Sequence, residues 1–252
     1  MLVLASASPR RRELLAQAGF SFEVHPAHIP EDPNPNEDPI AYVTRLAREK
    51  AQAVYLLLSA NSEPDNPQIL RAPSILRSSQ NGWENTNPHS ASTPALYQGT
   101  TSVVPKTRIE DTGALAPEKI LSEFLAVLAA DTTVTLDNHI LGKPEDPADA
   151  ARMLRLLCGR THHVITGVAL VTAQRTEVAA EVTAVKFLTL SEEEIAAYIA
   201  TGEPMDKAGA YAIQGRAARW IPRIEGDYFN VVGLPIALVS TLLKTALESP
   251  RR

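Results

Sequence analysis

The chain has 252 residues, of which 44% are hydrophobic and 21% are charged, and its formal net charge is −5. This length and composition are those of a globular protein with enough apolar surface for a core. The net negative charge argues against general binding to nucleic acid or to an anionic membrane surface, because both are usually met by a basic excess.

The cysteine content and the hydropathy of the chain indicate its cellular compartment. Cys158 is the only cysteine, so the chain forms no internal disulfide, which suits a reducing compartment. Cys158 itself is predicted to be a core residue. No apolar run is long enough for a membrane-spanning helix, and the first residues lack the pattern of a signal peptide. We therefore expect a cytoplasmic protein that binds no membrane.

The first element is predicted to be a short buried strand that leads directly into a helix. Residues 2–5 are an apolar run, and Ser8 followed by Pro9 is typical of an N-cap with proline at the first helical position. Three arginines follow at 10–12, where they oppose the helix dipole unless an anion binds. The stretch favours a phosphate site, and a solvated basic turn is the alternative.

A second strand over 20–24 and a proline-rich loop over 26–39, which carries Glu31, are predicted next. Asp38 is expected to cap a helix that runs to about residue 58. One charge, Lys50, falls in the apolar stripe of that helix, where it needs an anionic partner or a ligand. A lysine that extends along the surface to solvent agrees equally well with the spacing. The apolar members of the stripe are Ile40, Val43, Ala47, Val54 and Leu58.

Residues 59–118 differ in character from the rest of the chain. They hold seven of the nineteen prolines, mixed with polar residues, and show no sustained apolar period. Such a segment does not bury enough apolar surface to order itself. We predict a disordered insertion within a single domain that spans 1–252.

The next apolar run, 124–130, is predicted to be a central strand buried on both faces that ends at Asp131. Acidic residues just beyond the end of a central strand commonly face the ligand crevice of an open α/β sheet. A hairpin with its turn at 137–138 is then expected to deliver Lys143. A helix capped by Asp146 follows.

The second half of the chain is predicted to start with two long antiparallel strands over 162–172 and 177–189. His162 begins the first of these strands, and a structural role is favoured for it because no third metal ligand is evident. The later elements are expected to be a helix after a capping box at 191–194, a segment near the ligand over 205–215, a strand over 218–224, a turn over 226–230 and a final helix from about 235.

Cations on several separate elements predict a polyanionic ligand, and carboxylates among them predict a divalent metal that bridges to phosphates. We expect metal-assisted phosphoryl chemistry in which Asp131 activates water. The sequence contains no P-loop and no dinucleotide-binding fingerprint, which argues against kinases and dehydrogenases. The basic set is Arg10, Arg11, Lys50, Lys143 and Lys207, and the acidic set is Glu31, Asp131 and Asp206.

Seven motifs, in order along the chain, resemble those of the Maf family of nucleoside triphosphate pyrophosphatases. The resemblance implies an α/β fold with a mixed central sheet flanked by helices and two lobes around a substrate cleft, as in the inosine triphosphate pyrophosphatases. It also implies hydrolysis between the α and β phosphates with Mg²⁺ or Mn²⁺ as the divalent metal. The motifs lie at 6–15, 45–51, 130–134, 142–144, 159–167, 206–215 and 231–235.

The resemblance also implies roles for individual residues. Asp131 corresponds to the proposed proton acceptor, and Glu31 lies where the family has a glutamate near the metal, so Glu31 and Asp131 are the expected metal ligands. Arg12 matches no functional position and is expected to be solvated. The residues implied to bind substrate and phosphate are Ser6, Arg10, Arg11, Lys50 and Lys143, and those associated with base choice are Arg10, Thr132 and Gln214.

The sequences Asp-Thr-Thr at 131–133 and Tyr-Ala-Ile-Gln at 211–214 resemble those of the family branch that acts on dTTP and UTP rather than those of the branch that acts on 7-methyl-GTP. The long connection over 59–118 departs from the short one usual in the family. Two alternatives stay open: a nucleotide-binding regulator of septum formation, and the same chemistry on a modified pyrimidine triphosphate. Retention of Asp131 and Glu31 favours an enzyme, since binding alone needs no general base. The oligomeric state is open, with a homodimer as one option.

Overall fold

The structure is a computed structural model that describes residues 1–60, 125–137 and 139–248. Within these residues, seven strands form one mixed sheet with the order β2-β1-β3-β5-β6-β7, and β4 pairs with β3. β1 is parallel to β2 and β3, and the other pairings are antiparallel. The strands are β1 (Leu2–Leu4), β2 (Glu23–Val24), β3 (Ala126–Leu136), β4 (His139–Leu141), β5 (Thr161–Thr172), β6 (Thr176–Lys186) and β7 (Arg223–Glu225).

The helices begin where their caps predict. Ser8 caps α1 and Asp146 caps α3, each followed by a proline, and Ser191 forms a capping box with Glu194 at α4. The helices are α1 (Pro9–Gln17), α2 (Pro39–Ala60), α3 (Pro147–Leu157), α4 (Glu192–Ile199), α5 (Tyr228–Val232) and α6 (Ile236–Glu248), and short 3₁₀ turns span Glu203–Asp206, Ala208–Ala210 and Arg216–Trp220. No helix in the described ranges is long and apolar enough to cross a membrane.

β3 is buried on both faces because its alternating side chains meet helices on either side. Val127 and Ala129 pack with Ala47 and Ala51 of α2 on one face. Leu128 and Ala130 pack toward α1 and α6 on the other face. This arrangement confirms the predicted α/β class with a mixed central sheet flanked by helices.

Some local predictions were wrong. Residues 218–224 are not one strand: the chain makes a 3₁₀ turn to Trp220, and only Arg223–Glu225 pairs with β6. The expected turn over 226–230 includes the start of α5, which Asp227 caps. Ile40, placed in the apolar stripe of α2, is exposed. The first two are cases in which tertiary contacts override the local pattern.

The predicted insertion over 59–118 lies outside the described residues except for Ser59 and Ala60, which are the last two residues of α2. Its disorder and the single domain over 1–252 therefore stay predictions.

Candidate active site

A notch in one edge of β3 positions the site. β1 pairs with β3 only over residues 126–128, and β4 pairs with the same edge from Val134 onward. Between them the edge is open, while the other edge of β3 is paired with β5 throughout. Asp131 lies in this gap, in the middle of an 11-residue strand. The prediction that β3 ends at Asp131 was wrong, because pairing with β5 continues to Thr135 and pairing with β4 continues to Leu136.

Gly167 sets how closely α2 approaches the sheet. It lies in β5 directly opposite Asp131, and a side chain there would overlap the backbone of Val43, since an ideal Cβ falls 2.7 Å from the nitrogen of Thr44. Lys50 is about two turns beyond Val43 on the same face of α2. The close approach at Gly167 therefore brings Lys50 over Asp131.

Lys50 joins two carboxylates at the floor of the notch. Its Nζ lies 2.7 Å from Oδ1 of Asp131 and 2.6 Å from Oε1 of Glu31. The lysine is 7% exposed and Asp131 is 8% exposed, so each charge depends on the other for compensation. The interpretation of Lys50 as an inward charge with an anionic partner is confirmed.

Glu31 reaches this centre from the loop before α2, and the backbone of that loop is held in place. Tyr42 donates a hydrogen bond to the carbonyl of Glu31 (2.8 Å), and Arg45 donates to the carbonyl of Asp32 (3.1 Å). Burial raises the pKa of Glu31, but the hydrogen bond and charge of Lys50, with the charges of Lys143 and Arg11, outweigh it and lower that pKa below its ordinary value. Glu31 is therefore held as a carboxylate.

The N-terminus of α1 forms one wall, and Arg11 organises it. The Arg11 guanidinium donates to the carbonyls of Gly233 (2.8 Å) and Ala130 (2.7 Å) and to the hydroxyls of Ser6 (3.4 Å) and Thr132 (3.0 Å). These bonds engage four of its five N–H groups. Arg11 thus fills the open backbone edge of β3, and its predicted contact with phosphate stays a prediction.

Further cationic side chains lie around the notch in β3. Arg10 pairs with Asp206 at 3.8 Å, and Lys207, the neighbour of Asp206, also donates to that carboxylate. Lys143 follows β4 and faces the same space. Arg12 is exposed and does not face it, as expected for a solvated neighbour.

These residues line one cleft with a volume of about 530 Å³. The cleft brings together every residue that the sequence singled out for the site. Those residues are Ser6, Arg10, Arg11, Glu31, Lys50, Asp131, Thr132, Lys143, Asp206, Lys207 and Gln214.

Thr132 and Gln214, two of the three residues that the family resemblance associates with base choice, are held differently. The Thr132 hydroxyl shares a hydrogen bond with the buried Thr166 (2.9 Å), which donates to the carbonyl of Asn230 (3.1 Å). The Asn230 amide donates in turn to the carbonyl of Val164 at 3.0 Å. Gln214, by contrast, is exposed at the rim of the cleft. The Thr132 side chain is therefore fixed by a buried hydrogen-bond network, whereas the position of the Gln214 side chain depends on the backbone of its turn.

The donor set fits a hard cation with phosphate among its ligands. Within the described ranges, no group of three or more His, Cys, Asp or Glu side chains is placed to hold a metal. Glu31 and Asp131 supply two carboxylates at one point, and Mg²⁺ is commonly held by one or two carboxylates with phosphate oxygens and water completing its shell. The residues therefore suit Mg²⁺ or Mn²⁺ together with a phosphate ligand.

His162 has a structural environment. It is fully buried, and its Nε2 lies 2.8 Å from the hydroxyl of Tyr211. Burial, and secondly the charge of His163, lowers the pKa of His162 to about 3. A neutral, packed imidazole of this kind agrees with the predicted structural role.

Sequence reasoning missed two residues that shape the site. Gly167 carried a usable signal, since a glycine inside a strand often marks a close backbone approach. Asn230 gave none, because its network depends on residues from β5 and β6.

Comparison with known proteins adds an independent finding. A family model described as Maf-like protein matches residues 1–246. A dTTP/UTP pyrophosphatase of Koribacter versatilis is 43% identical over 97% of this chain and 94% of its own length. The proteins of the same name from Moorella thermoacetica and Bacillus pumilus are 42% and 37% identical, over 96% and 97% of this chain and 93% and 95% of their own lengths.

Proposed function

Because the chain belongs to the Maf family, we propose that it is a nucleoside triphosphate pyrophosphatase that hydrolyses dTTP and UTP to the nucleoside monophosphate and pyrophosphate. Relatives that match almost its whole length carry that name. One structural observation carries the proposal: Lys50 joins Glu31 and Asp131 at the floor of a cleft whose rim bears Arg10, Lys143 and Lys207.

The charge distribution of the cleft suits a triphosphate. Arg10, Lys143 and Lys207 come from three separate elements and face the space above the two carboxylates. Cations arranged around a phosphate chain stabilise the charge that develops as the bridging bond breaks. Ser6 lies beside them at the N-terminal end of α1, where backbone N–H groups favour anions.

Asp131 is the general base of this proposal. A water molecule attacks the α phosphorus, and its proton passes to the Asp131 carboxylate. The bond between the α phosphorus and the oxygen that bridges the α and β phosphates breaks. Lys50 pairs with the Asp131 carboxylate through the 2.7 Å contact and orients it toward the cleft. Pyrophosphate leaves with the bridging oxygen.

Glu31 and Asp131 are the proposed ligands of a divalent cation, Mg²⁺ or Mn²⁺. Such a cation, when bound, neutralises phosphate charge and lowers the pKa of a coordinated water. The role of this chain is to present the two carboxylates at one point, with Lys50 between them.

Thr132 and Gln214 are the proposed determinants of base choice together with Arg10. A glutamine amide offers one donor and one acceptor side by side, which complements the N3–H and O4 edge of uracil and thymine. We further propose that the enzyme is a single domain over 1–252 and acts in the cytoplasm, which its one cysteine suits.

The test is the identity of the products. Purified protein is incubated with dTTP, UTP, CTP, GTP and a set of 5-modified pyrimidine triphosphates, each with Mg²⁺ or Mn²⁺, and nucleotides and pyrophosphate are separated by chromatography. We expect monophosphate and pyrophosphate from dTTP and UTP. Release of orthophosphate and diphosphate, or no turnover of either nucleotide, contradicts the proposal, and preference for a modified base changes the substrate while keeping the reaction.

A further inference from the structure

The turn that carries Gln214 is short and depends on its anchors. It spans 212–215 and is closed by a hydrogen bond from the Gly215 N–H to the carbonyl of Ala212 (3.0 Å). Gln214 is the third residue of the turn and its side chain is exposed at the cleft. The place of its amide relative to a bound base therefore follows from the position of the turn.

Tyr198 of α4 holds the first end of this turn. Its hydroxyl accepts a hydrogen bond from the Ala212 N–H (3.1 Å) and donates one to Oε1 of Glu203 (2.8 Å). The tyrosine is 2% exposed, and its ring packs edge-on against Trp220 at 5.2 Å. A hydroxyl on a ring fixed in this way is a rigid anchor.

Glu203 holds the other end. Its two carboxylate oxygens accept from the Arg216 N–H at 3.1 and 3.2 Å. The carboxylate also lies directly against Gly215, where an ideal Cβ would fall 2.7 Å from Oε2 and closer still to the other carboxylate atoms. A glycine at 215 is thus required for this contact, and the turn is enclosed between Tyr198 and Glu203.

We propose that Tyr198 and Glu203 are positioning residues for base recognition, which hold the 212–216 backbone so that Gln214 meets the pyrimidine edge. Neither residue faces the cleft, so they act through the turn. An anchored turn reduces the ordering that base binding would otherwise require, and this preorganisation appears as affinity. The inference rests on the proposed function and adds to it how specificity is supported.

The test compares UTP with ribose 5-triphosphate, which carries the same phosphates and no base. The ratio of the two kcat/KM values measures what the base contributes. Tyr198→Phe removes the hydroxyl and keeps the ring against Trp220, and we expect it to lower this ratio about tenfold through the KM for UTP. Turnover of ribose 5-triphosphate stays unchanged.

Two further variants make the test specific. Gly215→Ala displaces the Glu203 carboxylate and is expected to lower the ratio as Tyr198→Phe does. It therefore tests the same positioning role if the Tyr198→Phe variant does not fold. In a Gln214→Ala background, Tyr198→Phe is expected to have no further effect, because residues that act through one group are not additive. Tyr55→Phe on α2, away from the cleft, is the matched control and leaves the ratio unchanged.

The outcomes separate the two proposals. An unchanged ratio in folded Tyr198→Phe and Gly215→Ala overturns the positioning role, and so does an equal loss on both substrates, which indicates general damage. Additive effects of Tyr198→Phe and Gln214→Ala overturn it as well. If the wild-type protein releases no pyrophosphate from UTP, the proposed function itself fails.

Discussion

Replacing Lys50 with methionine tests the charged centre of the cleft. The substitution keeps the length and apolar stem of the side chain and removes the ammonium that lies 2.7 Å from Asp131 and 2.6 Å from Glu31. The buried Asp131 carboxylate then loses the ammonium group that it contacts. We expect a lower free energy of unfolding at neutral pH and loss of pyrophosphatase activity.

The magnitude follows from the exposure of the two partners. Asp131 has an 11% exposed side chain, and a charged hydrogen bond in such a place contributes about 1.5–3 kcal/mol. The Glu31 side chain is 52% exposed, so solvent screens its pair to about 0–1 kcal/mol. Together the two pairs contribute about 1.5–4 kcal/mol, which overlaps the low end of the cost of breaking a buried ion pair, about 3–5 kcal/mol.

The loss should depend on pH. Lys50 lowers the pKa of Glu31 in the folded protein, so Glu31 contributes stability above its ordinary pKa of 4.5 that is lost as pH falls through the folded value. Without Lys50 that contribution disappears. The difference between wild type and Lys50→Met is therefore largest near pH 7 and shrinks below about pH 4.5.

The assay is urea unfolding of wild type and Lys50→Met at pH 7 and pH 4, followed by tryptophan fluorescence. Lys244→Met, which removes an exposed lysine of α6, is the matched control and should change the free energy of unfolding by less than about 0.5 kcal/mol. Equal stability of Lys50→Met and wild type at pH 7 would refute the account of the centre, as would a deficit that grows on acidification.

Three further predictions concern the fold around the site. The pKa of His162 is lowered to about 3 in the folded protein, so between that value and its ordinary pKa the side chain binds a proton only in the unfolded state. The free energy of unfolding therefore falls on acidification by up to about 1.4 kcal/mol per pH unit. His162→Gln should show a shallower dependence of this free energy on pH between pH 6 and 4 in urea titrations, and an equal dependence argues against a neutral imidazole. Gly167→Ala, which overlaps the backbone of Val43, should lower the melting temperature and the kcat together, whereas Gly142→Ala, which has open space, should change stability little. Deletion of 62–109 should leave melting temperature and kcat for dTTP within about twofold of wild type, in keeping with its composition, and a soluble but inactive deletion would show that the segment completes the cleft.

The elements and charges that the sequence predicted are those whose causes are local. The caps at Ser8 and Asp146 each depend on a few consecutive residues. Helical periodicity places Lys50 among apolar residues that do pack on the sheet, which made an inward lysine one of two interpretations of the spacing, and the structure decides for it. Such features are accessible from one sequence.

Features that join distant segments were not accessible in the same way. Asp131 lies inside β3 because β5 pairs along the whole strand while β1 stops at Leu4, and periodicity cannot show where a partner strand ends. The engagement of Arg11 with Gly233, 222 residues away, and the anchoring of the Gln214 turn by Tyr198 likewise arise only in the folded chain.

Pyrophosphate release from dTTP by Asp131→Asn, compared with wild type and with Asp137→Asn, tests the central claim most directly. Asp137 is an exposed residue of the β3–β4 turn that pairs with Arg160 outside the cleft, so its variant controls for loss of a carboxylate elsewhere on the hairpin. With magnesium or manganese present and all three proteins shown to be folded, we predict that Asp131→Asn lowers kcat by about 10²–10⁴-fold and that Asp137→Asn has wild-type turnover. Wild-type turnover by Asp131→Asn would contradict the assignment of the cleft and of its base.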